Sequence, residues 1–389
     1  MIAALLGAVV ACAATPGVDG VRAPGTTGTT RPKPAIATPV GEDPLAQPLE
    51  DRLQRVLDDT LARVTGTPGM IAAVWVPGSG AWASVTGVAD PATKEALATN
   101  DHVRIGTVTT SMTVAVVLQL EDQGKLHLDD RVATWLPDEP GSSQTTVGSL
   151  TDSGADAATA RSNTLLLARI AEKATGRPFR DLLEAQLLAP LGLHHTTVPA
   201  AGDTSLPRPF AQGSALVPTP GGPFDAAVDG AISTVLDLEI WAYHLGSGEL
   251  LAPSTFAAQR DAGIAPAAPG SDFSAYGMGL MSFSPVQLPA LPWAGFEGTA
   301  SGTSTVVAFD PATSAVIVVI ATSDVHLSDA GSGAPAGSGD GTVTPTPGPR
   351  RTPAMITFAA LRDALRADPP PTTVPVLPTP ASTAPGAAS

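Results

Sequence analysis

Residues 112–120 (MTVAVVLQL) are largely apolar on every side of a helix. Such a helix offers no face to water, so the rest of the chain must wrap it. The flanking segments supply the wrapping. Leu49, Leu53, Val56, Leu57, Leu61 and Val64 recur at helical spacing and predict an amphipathic first helix. Strand-like runs follow at 70–76 and 81–88, with the turn-former Pro77-Gly78 between them. Further helices fit 164–175, 178–189 and 235–245. Late strands fit 276–284, 303–309 and 314–322, with Asp310-Pro311 turning the last hairpin. Met355, Ile356, Phe358, Leu361 and Leu365 mark a final helix at 353–366. Helix, two strands, a long helical middle, three strands and a helix predict an α+β layer with a helical lobe. Ligand sites favour the interface between such lobes.

The folded domain is expected at 45–367, and a hydrophobic content of 43% is enough for its core. Net charge is −15, and no cluster of Lys and Arg offers to neutralise phosphates, so nucleic acid is not expected as a partner. The single cysteine, Cys12, excludes an internal disulfide. Residues 2–11 form an apolar run, too short to span a bilayer comfortably but suited to a signal-peptide core. The run ends in Val9-Val10-Ala11-Cys12, which resembles the bacterial lipobox. That likeness implies a leader at 1–12, acylation of Cys12, and an extracytoplasmic protein lipid-anchored to the membrane. A secreted protein, or an apolar N-terminus with one chance cysteine, is the alternative. Residues 13–44 are rich in Gly, Pro and Thr and read as a flexible linker. Residues 328–350 read as a disordered insertion, and 368–389 as a disordered Pro-rich tail.

Several segments share a resemblance. Arg104-Ile105-Gly106-Thr107-Val108-Thr109-Thr110 opens the buried helix, and Gly124-Lys125-Leu126 and Leu128-Asp129-Asp130 follow it. Pro68-Gly69, Gly87-Val88-Ala89-Asp90 and Pro190-Leu191-Gly192-Leu193 add to the pattern, as do Gly230-Ala231-Ile232-Ser233-Thr234 and Tyr276-Gly277-Met278-Gly279. Together they resemble the penicillin-recognising serine hydrolases, the family of class C β-lactamases and D-alanyl-D-alanine carboxypeptidases. The resemblance covers roughly 45–327. It implies an antiparallel sheet flanked by N- and C-terminal helices, with the helical lobe beside it.

The family's three catalytic motifs are replaced. Its Ser-x-x-Lys places a lysine one helical turn from the nucleophile, where it can take the proton, at a helix N-terminus whose field favours developing negative charge. Here the two positions are Thr107 and Thr110. Threonine keeps a hydroxyl and adds a methyl; Thr110 cannot act as a base near neutral pH. The Tyr-x-Asn motif is met by Arg161-Ser162-Asn163, which exchanges a proton shuttle for a permanent cation. Asn163 keeps its capacity to bond an amide. The Lys-Thr-Gly or His-x-Gly motif is met by Phe296-Glu297-Gly298 on a strand that the resemblance places beside the site.

A shifted register does not recover the motifs. The residues three before Lys33, Lys94, Lys125 and Lys173 are Thr30, Pro91, Asp122 and Ile170, so Ser-x-x-Lys occurs nowhere. The only asparagines, Asn100 and Asn163, follow Ala98 and Arg161 by two, so Tyr-x-Asn is absent too. The one His-x-Gly, His244-Leu245-Gly246, ends a predicted helix. Catalytic groups act as a unit, and losing one member can cost about six powers of ten in turnover. The chain is therefore expected to have lost the family's chemistry and to serve a binding or regulatory role in the cell envelope. A cell-wall peptide or an ester is the candidate ligand. The alternative is a residual esterase or peptidase with Thr107 as nucleophile and Glu297, if burial raises its pKa, as base.

Other chemistries find little footing. No Gly-x-Ser-x-Gly elbow and no His-Glu-x-x-His pattern occurs, and neither cofactor nor metal is expected. His194-His195 reads as helix-end packing, and Asp129-Asp130 as a turn or helix start.

Overall fold

The computed structural model describes residues 43–151, 157–199, 227–262, 273–283, 293–300, 302–325, 327–328 and 350–367. The expected leader with Cys12, nearly all of the linker, the insertion at 329–349 and the tail lie outside them.

The first helix, α1 (Gln47–Arg63), starts with a proline in its first turn, carries Glu50 near its N-terminus and ends on Arg63. Each charge suits the helix dipole at its end. Two strands follow, β1 (Gly69–Val76) and β2 (Gly80–Asp90), then two short ones, β3 (Glu95–Ala96) and β4 (Val103–Arg104). The helical middle comprises α2 (Val108–Asp122), α3 (Val132–Trp135), α4 (Val147–Leu150), α5 (Ala157–Thr175), α6 (Phe179–Leu183) and α7 (Ala189–Leu191). A π-helical turn at Glu184–Leu188 joins the last two. Then come β5 (Ile232–Ser233), α8 (Val235–Ser247) and α9 (Pro253–Asp261). The closing run is β6 (Phe273–Gly277), β7 (Leu280–Phe283), β8 (Trp293–Ala300), β9 (Thr303–Phe309), β10 (Val316–Ala321), β11 (Leu327–Ser328), β12 (Arg350–Arg351) and α10 (Pro353–Ala367).

Eight strands make one sheet in the order β3-β2-β1-β10-β9-β8-β7-β6, and every pairing is antiparallel. The N- and C-terminal parts of the chain therefore meet at its centre, where Ala72 pairs with Val319 and Val318 with Val307. All eight β1 residues are buried, which its unbroken apolar run already requires. Successive side chains point to opposite faces. Met70, Ala72 and Val74 pack with α1 and α10 through Leu53, Leu57, Phe358 and Leu361. Ile71, Ala73 and Trp75 face α2, α8 and the helical lobe. Within α2, residues 108–118 and Leu120 are all buried, as its all-round apolar sequence demands.

Three expectations are corrected. The strand expected at 276–284 is a hairpin: Met278 and Gly279 take positive φ, 24° and 74°, and reverse the chain between β6 and β7. Strand β8 carries no strong period-two signal and was expected only through the resemblance. The linker ends earlier than 44, because Asp43 accepts from Ala81 N at 2.9 Å and Pro44 bridges Ala81. At the insertion, Ser328 and Arg350 are not loop residues but pair as the ends of β11 and β12.

Candidate active site

The first-motif positions open α2. Thr107 is the N-cap of α2, half-buried, and its side chain makes no capping hydrogen bond. Thr110 is 5% exposed, and its hydroxyl donates to the carbonyl of Val228 at 3.3 Å. Neighbouring hydroxyls are also spent on backbone: Thr109 donates to Gly106 O at 2.8 Å and Thr113 to Ala227 O at 2.5 Å. Where the family carries an ammonium, this chain carries a fastener between α2 and the segment 227–231. That segment is also held by Ala231 N donating to Thr109 Oγ1 at 3.3 Å and by Ile105 N donating to Ala231 O at 3.2 Å.

Strand β8 presses on the same turn. A side chain at Gly298 would place its Cβ 2.4 Å from Val108 N and 2.7 Å from Ile105 O. Gly106 has φ +56°, and a Cβ there would lie 2.1 Å from Thr299 O. Both positions admit only glycine. Thr303 reinforces the contact by donating to Arg104 O at 2.8 Å. Gly298 thus packs directly on the turn that opens α2, which gives it a structural reason to stay.

The other two members of that motif diverge. Phe296 is 3% exposed and packs edge-on against Tyr276, with ring centroids 6.0 Å apart, on the α2 side of the sheet. Glu297, one residue on, faces the other side. Its Oε1 accepts from the Thr352 hydroxyl at 2.5 Å, where Thr352 also accepts from Met355 N in the first turn of α10. Strand alternation therefore turns Glu297 away from the α2 side of the sheet. The expectation that it acts as a base for Thr107 is corrected.

The second motif opens toward Thr110's partner segment. Arg161, near the start of α5, binds Asp229 through Nη1 and Oδ2 at 2.5 Å, and both side chains are 39% exposed. Asp229 is the residue that sequence reasoning missed. It stands 68 positions from Arg161, next to the recognised Gly230-Ala231, and no motif spacing connects the two. Asn163 is half-buried on the same helix.

Among the described residues, the strongest pKa displacement lies elsewhere. Glu239 of α8 is 1% exposed, its Oε1 has no hydrogen-bond partner among the described residues, and burial holds its carboxyl well above the usual range. Burial, then the nearby Glu249 charge and a hydrogen bond to it, also raise Tyr243. His244 lies inside α8 with Nδ1 3.2 Å from Glu249, so its His-x-Gly is not a strand motif. His195 sits beyond α7, its ring 5.7 Å from that of His102 and its backbone N–H on Asp237 at 2.9 Å. Asp130 serves a turn, accepting from His127 N at 2.9 Å and Trp135 Nε1 at 3.2 Å.

Known proteins share this fold. A D-amino acid amidase from Ochrobactrum anthropi SV3, solved with L-phenylalanine amide, superposes with a TM-score of 0.63 at 21% identity, over 82% of this chain and 99% of that one. A D-stereospecific amidohydrolase from Streptomyces sp. gives a TM-score of 0.57 at 23% identity, over 71% of this chain and 94% of that one. At such identities the likeness establishes the fold, that of the penicillin-recognising serine hydrolases. The family model described as Beta-lactamase matches residues 53–337, and the chain therefore belongs to the beta-lactamase family.

Proposed function

We propose that this protein is a binding or regulatory member of the beta-lactamase family that has set aside the family's acyl transfer. The observation that carries this reading is Thr110. Its hydroxyl occupies the position of the general base and is engaged with Val228 O. A neutral hydroxyl does not remove a proton from Thr107 at ordinary pH. Arg161, held on Asp229, does not shuttle protons either. What remains suits recognition: a helix N-terminus, the hydroxyl of Thr107, the half-buried amide of Asn163 and a charged pair. On this reading the protein works in the cell envelope, tethered by an acylated Cys12, and its ligand is a cell-wall peptide or an ester.

A second reading is favoured by one observation. The Thr107 hydroxyl makes no capping bond at the helix start, so it is available to attack an ester or an amide, and an amide is the ligand named with one of the similar structures. One pair of measurements separates the two. Ester and amide panels are incubated with the protein and with Thr107→Ala, and muropeptide binding is followed by calorimetry. Binding without Thr107-dependent turnover supports the first reading; turnover that disappears in Thr107→Ala replaces it with the second.

A further inference from the structure

We propose that α8 is a proton-controlled strut. It stays seated on the sheet while the Glu239 carboxyl keeps its proton; loss of that proton lifts its N-terminal half and loosens the segment 227–233 beside the start of α2. The inference goes beyond the binding reading and does not depend on it.

Glu239 stands where an anion has no support. It lies four residues before Tyr243 and seven before Gly246, so the three share one face of the helix. That face meets the sheet. A side chain at Gly246 would place its Cβ 2.3 Å from Phe309 Cβ of β9, and the Tyr243 ring lies 5.2 Å from that of Trp75 in β1. Helix α8 packs on β1, β8, β9 and β10. Of these, β1, β9 and β10 carry no titratable residue, and Glu297 of β8 is turned to Thr352. On α2, Glu121 accepts from Leu128 N and Asp122 from Ala252 N. On α8 itself, Asp237 accepts from His195 N and Thr196 Oγ1, while Tyr243 and His244 pair with Glu249. The Glu239 side chain is buried, and no described residue bonds its Oε1. Burial is accordingly the one cause that raises its pKa. A carboxylate left there without partner or water is too costly to persist, so ionisation requires the chain to move.

The two ends of α8 are held differently, and this decides which part moves. The C-terminal end is wedged, Gly246 against Phe309. The N-terminal half is held by hydrogen bonds, those on Asp237 and one from Trp241 Nε1 to Ser111 Oγ of α2 at 3.1 Å. Hydrogen bonds can be exchanged for water; a wedge cannot. The N-terminal half continues back into β5, which pairs with β4. Before β5 come Ala231, Val228 and Ala227, whose carbonyls accept from Ile105 N, Thr110 and Thr113. Proton loss at Glu239 thus reaches the turn that carries Thr107.

The test is amide hydrogen exchange on the full-length protein across a pH series, expressed as protection factors. The reporters are Ile105 N–H and Ile232 N–H, which donate to Ala231 O and Thr197 O. The reference is the β9–β10 pairing. Each opening releases one proton between the unfolded and the folded carboxyl pKa. Reporter protection should therefore fall about tenfold per pH unit in that window, and should lie below that of the reference throughout. In Glu239→Gln the reporters should lose this slope. Reporters as protected as the reference would show that the region opens only by global unfolding, which overturns the strut. Reporter protection independent of pH also overturns it, as does a slope that persists in the folded variant. The comparison of reporters with reference on the unaltered protein decides the matter even if the variant fails to fold.

Discussion

Two contacts frame the start of α2, and they differ in what they tolerate. Strand β8 meets the turn before the helix backbone to backbone, so closely that Gly298 and Gly106 have no room for a side chain. Helix α5 meets the 227–231 segment through Arg161 and Asp229, a pair 39% exposed at both ends. The first contact is set by excluded volume and fixes the fold. The second is set by side-chain chemistry and can change with little effect on the fold. This difference lets a chain keep the family's architecture while all three motifs carry other residues. It also explains why Gly298 is the only residue retained from the third motif.

The largest effect should come from filling the glycine contact. Gly106→Val adds a β-branched side chain at φ +56° against Thr299 O, and should cost about 3 kcal/mol or more of unfolding free energy. Denaturant unfolding measures it. A cost below about 1 kcal/mol would mean that β8 is free to move away from α2, and the comparison would fail at its first term.

The next effect is pH-dependent. Glu239 has a folded pKa raised by burial. Its stabilising contribution is therefore fully present below the unfolded carboxylate pKa and is lost as pH rises through the folded value. Stability should fall as pH rises above the unfolded carboxylate pKa, and Glu239→Gln should flatten that slope. An unchanged slope in the variant assigns the pH dependence to other groups.

Thr110→Val removes one hydrogen bond to Val228 O and should cost about 1 kcal/mol. No loss would show that the fastener does not hold the 227–231 segment. The smallest stability effect should be that of Asp229→Asn. Breaking a pair this exposed is worth below about 1 kcal/mol, and thermal unfolding should show a barely shifted midpoint.

The same contrast decides how much was legible beforehand. The α2 helix and β1 were readable because a continuous apolar run has few places to go. The antiparallel sheet came from the resemblance, since periodicity gives no pairing partner, and the pairing of β1 with β10 is visible only in the fold. The turn at Met278-Gly279 was missed because Tyr276, Met278 and Leu280 continue a period-two pattern across it. In the site, Thr107 and Thr110 open α2, Gly298 packs on the same turn, and Arg161 lies near the start of α5. Glu297 was misassigned because a motif read as a string hides strand alternation, which sends neighbours to opposite faces. Asp229 was invisible because its partner is distant in sequence and only the fold brings them together.

The central claim is that this cleft recognises without acylating. Intact-mass spectrometry after incubation with a broad acylating probe tests it most directly, on the protein and on Thr107→Ala in parallel. The account predicts no covalent adduct that depends on Thr107. An adduct on the unaltered protein that is absent from Thr107→Ala, with the variant folded, would contradict it.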